Sequence, residues 1–73
     1  MWIMTQGKKG LVNTDECTSI CVTSNLGKKK GAITTSPSLV VLGYYDDEKC
    51  ALCELENLAE AIKNGEKFYQ MPL

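Results

Sequence analysis

Only one segment of this chain repeats its apolar residues at helical spacing. Ala51, Leu52, Leu55, Leu58, Ala59 and Ile62 form one stripe, and Glu54, Glu56 and Glu60 fall away from it. Asp47 is a good N-cap because its short carboxylate accepts an orphan backbone N–H. Glu48 adds negative charge at the positive end of the dipole, and Asn64-Gly65 supplies a stop. The rest reads as short strands cut by Gly, Lys and Pro: residues 1–5, 11–13, 17–23, 32–35, 39–45 and 68–71. Of these, Leu39–Tyr45 is the most apolar, which predicts burial on both faces at the centre of a sheet.

Strands, then a helix, then a strand predict the α+β class. The expected form is a small antiparallel sheet of about five strands, with the helix packed on one face and a C-terminal strand. Residues 1–73 read as a single domain, with no repeat and no linker.

One helix covers one sheet face, yet alternation gives apolar residues to both. Trp2 and Met4 oppose Ile3, Val40 and Leu42 oppose Leu39 and Val41, and Tyr69 and Met71 oppose Phe68. A domain of 73 residues buries only about 60% of its unfolded surface, and its core is worth roughly 3–5 kcal/mol. A marginal core beside an uncovered apolar face predicts self-association, most simply as a symmetric dimer.

Composition removes several functions. The chain has no His and no Arg. It therefore lacks the usual general base at neutral pH and the side chain best suited to grip phosphates and guanine edges. No run of 18 apolar residues exists to span a membrane. The opening MWIMTQGKKG has no hydrophobic core of a secretory signal, so the expected setting is cytoplasmic, with cysteines held as thiols. Charge is uneven: residues 1–45 carry five Lys against two acids, and residues 46–73 carry three Lys against seven acids.

The cysteines stand as Cys17-x3-Cys21 and Cys50-x2-Cys53. Read as four thiolates they suggest zinc. If Cys17 and Cys21 share a strand, however, roughly 13 Å separates them, too far for one metal with Zn–S near ~2.3 Å. Cys50 and Cys53 face each other along the helix and could form a metal or thiol-redox pair. Asp46, Asp47 and Glu48 beside them oppose thiolate formation. Capping explains that acidic cluster, which is given no catalytic role.

Lys28, Lys29 and Lys30, with Lys8 and Lys9, are the candidate anion contacts. Trp2, Tyr44 and Tyr45 are the candidate stacking rings. Lysines in turns also guard sheet edges, and with a pI near 5.3 nucleic acid is disfavoured as a partner.

Three stretches carry a resemblance: Met1-Trp2-Ile3-x-x-Gln6-x-Lys8-x-x-Leu11-Val12-Asn13, Leu42-Gly43-x-Tyr45 leading into the acid-capped helix, and Phe68-Tyr69-x-Met71-Pro72. Together they resemble small uncharacterised proteins of low-GC Gram-positive bacteria and their phages and prophages. The match covers both ends and the strand–helix junction, and that group has charged residues near the positions of Cys50 and Cys53. The resemblance implies a bacterial or phage cytoplasm and an accessory role, and it carries no catalytic residue.

The expectation is a non-enzymatic binding or interaction module without a cofactor, homo-oligomeric and of phage or prophage type. It would block a host protein or sequester a small anionic, nucleotide-like ligand through the lysines and rings named above. The alternatives are a zinc or thiol-redox protein built on Cys50 and Cys53, and a weak single-stranded nucleic-acid binder.

Overall fold

A computed structural model of the chain describes residues 1–24 and 30–73. It is α+β, with one long helix and six strands divided between two small sheets. β1 (Trp2–Met4) and β2 (Leu11–Asn13) form an antiparallel hairpin. A short 3-10 turn, Thr14–Glu16, follows, with the Asn13 side chain accepting from the Asp15 N–H. β3 (Ser19–Ser24), β4 (Gly31–Ser36) and β5 (Val41–Tyr45) make the second sheet, antiparallel with β4 in the middle. α1 (Glu48–Lys63) follows, and β6 (Phe68–Gln70) returns to lie parallel to β1.

The helix forms where local chemistry dictates. The Asp47 carboxylate accepts from the Cys50 N–H at 2.7 Å. At the other end Gly65 adopts φ +75. Its N–H reaches the Ile62 carbonyl while Glu66 N–H reaches Ala61, the Schellman arrangement that satisfies the last carbonyls. α1 lies on the β3-β4-β5 sheet, nearest β4 and β3. Contact is close at its start: a Cβ on Gly31 would stand 2.5 Å from the Asp47 carbonyl oxygen, so only glycine fits there.

Ile3, Ile33, Leu42, Tyr45, Ala51, Leu58 and Met71 form the core between the helix and the inner faces of both sheets. Val12 and Tyr69 pack on it from the β2-β1-β6 side.

Four expectations need correction. The sheet is not one but two, because β6 pairs with β1 and closes a separate three-stranded unit. The central strand of the larger unit is Gly31–Ser36 and not Leu39–Tyr45. Leu39 is 68% exposed, and β5 is an edge strand whose bulge at Leu42 shifts its phase. That extra residue lets Leu42 and Tyr45, three apart, both reach the core. The buried side of α1 is centred on Ala51, Leu58 and Ala61, while Leu52 and Ile62 are about half exposed and Ala59 is exposed. The helix is thus rolled away from the centre of its apolar stripe. Finally, Cys17 follows the 3-10 turn while Cys21 lies in β3, so the two do not share a strand.

The two units are stitched by Gln6. Its backbone N–H donates to the Leu42 carbonyl at 2.8 Å. Its side-chain Oε1 accepts from Tyr44 N–H at 2.9 Å, and Nε2 donates to the Tyr44 and Pro72 carbonyls at 2.9 and 3.2 Å. One amide side chain thereby occupies the open edge of β5 as a strand would.

Candidate functional site

The outer face of the β2-β1-β6 sheet is built by alternation alone. Cross-strand register aligns Asn13, Trp2 and Phe68 in one row and Leu11, Met4 and Gln70 in the next. These six side chains share a face because residues two apart on a strand point the same way. Ile3, Val12 and Tyr69, between them, point to the core. Trp2, Leu11 and Phe68 are 49, 53 and 50% exposed. The face carries no charge; Lys8 and Lys9 border it at one end, lining a shallow hollow with Met4 and Leu11. Asp15 and Glu16, both exposed, follow directly at the other end.

A cleft of about 610 Å³ opens elsewhere, where β5 turns into α1, lined by Gln6, Tyr44, Tyr45, Asp46, Cys50, Cys53, Glu54 and Leu73. It gathers two of the rings and two of the thiols singled out by sequence. Tyr44 is 40% exposed and offers a face. Tyr45 is buried, and its hydroxyl donates to the Pro72 carbonyl at 3.0 Å; a ring so enclosed has no face for stacking. Its pKa is pushed up to about 12 by burial first, with the Glu54 carboxylate and Tyr69 adding to it. Tyr69 is raised too, by burial and then by Glu54.

Cys50 and Cys53 are free and exposed, as is Cys21, and Cys17 is partly buried. Hydrogen bonding to Asp47, then the charge of Asp47, pushes the Cys50 thiol up. The Asp47 carboxyl moves the other way, lowered chiefly by the Cys50 backbone N–H and then by the Cys50 thiol. The capping carboxylate thus opposes the thiolate that nucleophilic or redox chemistry requires. Among the described residues no three His, Cys, Asp or Glu side chains gather as a metal site.

The lysines disperse. Lys28 and Lys29 lie outside the described residues, and Lys30 is exposed beside β4. Lys9 shares a hollow of about 320 Å³ with Tyr44, Val41 and Leu42. Trp2 stands on the other sheet, away from Tyr44 and from Lys30. Among the described residues, Lys8, Lys9 and Lys30 therefore do not share one sheet with all three rings. Sequence reasoning missed Leu11, whose exposure depends on pairing with Met4, and the acids Asp15 and Glu16. Among the described residues no helix is long and apolar enough to cross a membrane.

No protein family, no curated protein and no solved structure matches the chain.

Proposed function

We propose that the protein is a non-enzymatic interaction module of the cytoplasm that associates with a second copy of itself through the outer face of the β2-β1-β6 sheet. One observation carries this reading: Trp2, Leu11 and Phe68 lie together on a single sheet face, each about half exposed. A sheet face with three large apolar side chains in contact with water is costly to leave open.

A second copy suits the face better than a charged partner does. The face is neutral, and its two ends carry opposite charge, Lys8 and Lys9 against Asp15 and Glu16. A surface so arranged is complementary to itself when reversed.

Light scattering after size exclusion, across a protein dilution series, tests the reading. The wild-type chain is expected to move from twice the 8.0 kDa mass to the single mass on dilution, with Trp2 fluorescence shifting to the red as the ring returns to water. The double variant W2D/F68D stays at the single mass with the helical circular-dichroism signal of the wild type. A wild-type chain that is monomeric at every concentration, or a W2D/F68D variant that still associates, overturns the proposal.

A further inference from the structure

We infer that the two copies are related by a two-fold axis running across the strands, so that Lys8 and Lys9 of each copy lie over Glu16 and Asp15 of the other. This rests on the self-association proposed above and specifies its register.

Along the chain the charges are evenly spaced on either side of β2, the lysines in the turn before it and the acids in the 3-10 turn after it. Lys9 and Asp15 each stand three residues from Val12, and Lys8 and Glu16 each stand four. Val12 pairs with Ile3 in the middle of the sheet. Lys8 and Lys9 border the outer face beside Met4 and Leu11, and Asp15 and Glu16 begin where β2 ends at Asn13. At that same end Glu66 and Lys67 are adjacent and offset each other, and the Met1 ammonium, which donates to Thr14 Oγ1 at 3.2 Å, offsets one of the two acids, so the end keeps a single net negative charge.

A sheet can stack on its own copy through a two-fold along the strands or across them. The first places lysine over lysine and acid over acid, and like charges brought together oppose docking. The second reverses the strands and pairs each lysine end with an acid end, twice per dimer. With β1 over β1 and Ile3 at the centre, the Trp2 ring then meets Met4 of the other copy, a favourable sulfur–aromatic contact. Leu11 meets Asn13 and Phe68 meets Gln70, so no apolar row is left over water.

Pairing β2 with β2 edge to edge would match the same charges, but it leaves Trp2, Leu11 and Phe68 uncovered. The outer edge of β2 also faces a hollow walled by Glu16, Thr35, Ser36, Pro37 and Val40, which crowds the approach of another strand. Face-to-face stacking is therefore the arrangement that uses both observations. Three strands of three residues make a face roughly 14 Å by 10 Å, small for a permanent interface. The pair is accordingly weak, and salt weakens it further.

Two charge-reversal variants test the register: K8E/K9E, which makes both ends acidic, and D15K/E16K, which makes both ends basic. Each alone is expected to self-associate more weakly than wild type, on the order of tenfold. Mixed in equal amounts they prefer each other, and native mass spectrometry resolves the heterodimer by mass. The four changes in one chain, K8E/K9E/D15K/E16K, restore wild-type association. If association depends on Trp2 and Phe68 but each variant alone associates as tightly as the wild type, the register is wrong and the face stands. If W2D/F68D does not weaken association, or the wild type never associates, both fail.

Discussion

β4, the central strand of the helix-covered sheet, reads Gly-Ala-Ile-Thr-Thr-Ser and is buried from Gly31 to Thr35. β1, the central strand of the other sheet, reads Trp-Ile-Met and leaves its tryptophan half in water. Hydropathy alone would have assigned these burials the other way round. The difference comes from what covers each strand and from how its polar groups are satisfied. Thr34 Oγ1 lies 2.8 Å from Thr23 Oγ1 across the sheet. Thr35 Oγ1 donates to the Ser38 carbonyl at 2.8 Å and accepts from Val40 N–H at 3.2 Å. Among the described residues no buried side-chain nitrogen or oxygen lacks a partner, so the threonines are buried without the penalty of an unmade bond. β1 has core on one side only. Among the described residues the helix that covers β4 has no counterpart over Trp2.

The largest expected effect tests whether the two faces really differ in kind. Ile33, fully buried beneath the helix, should cost about 2–5 kcal/mol when changed to Ala. That is comparable with the whole of a small domain's margin, so Ile33→Ala is expected to be largely unfolded by circular dichroism at room temperature. Phe68→Ala removes a larger side chain, but from the outer face, and its monomer stability should stay within about 0.5 kcal/mol of wild type. Urea unfolding at dilutions that keep the chain monomeric compares the two. Equal losses would mean that the outer face belongs to the fold and not to an interface.

Much of this contrast is legible in the amino-acid sequence. Asp47 and Gly65 bound the helix by local chemistry, and the alternation of Trp-Ile-Met and Phe-Tyr-Gln separates an inner from an outer face. The parallel pairing of β1 with β6 is not legible, because it joins residues at opposite ends of the chain. The roll of the helix is not legible either. Leu52, Ala59 and Ile62 flank the same stripe as Ala51 and Leu58, and only the shape of the sheet beneath decides which flank is buried. The bulge at Leu42 has no marker in a run as uniformly apolar as Leu39–Leu42. At the candidate site, Trp2 is conspicuous in the sequence, but the lysines of the first turn read as anion contacts. That they and the acids Asp15 and Glu16 stand at opposite ends of one sheet emerges only when β1 and β2 pair.

A middle-sized effect probes how the two units are held together. Gln6→Ala removes three side-chain hydrogen bonds and opens the β5 edge at Tyr44 and the Pro72 carbonyl. Because water can reach these groups, the loss should be about 1–2 kcal/mol and not the full cost of burying them unpaired. Hydrogen exchange gives a sharper readout than global stability: the Tyr44 amide should lose protection while the amides of β3 and β4 keep theirs. Unchanged protection at Tyr44 would mean that the Gln6 side chain decorates the edge without closing it, and that the core, the Gln6 backbone bond to Leu42 and the Tyr45–Pro72 bond hold the two units together.

An effect confined to alkaline pH, and absent at neutral pH, separates the buried tyrosine from the exposed one beside it. Burial, reinforced by the Glu54 carboxylate, raises the Tyr45 pKa to about 12 from the ordinary 10.0. Folding therefore favours the neutral phenol, and between those two values the unfolded chain gives up its proton before the folded one does. The stability contributed by keeping Tyr45 protonated is fully present below pH 10 and is lost as the pH rises toward 12. Wild-type protein should accordingly show a falling urea midpoint across that window, with part of its tyrosinate absorbance appearing only near its upper end. Tyr45→Phe keeps the ring in the core but gives up the hydrogen bond to Pro72. It should begin less stable at pH 8, then lose less between pH 10 and 12, because the group that distinguished the two states is gone. Every other side chain is common to both proteins, so the difference between their slopes isolates Tyr45. Parallel slopes would show that the Tyr45 hydroxyl reaches solvent, and that the core is looser where β5 hands the chain to the helix than the packing of Leu42 and Ala51 implies.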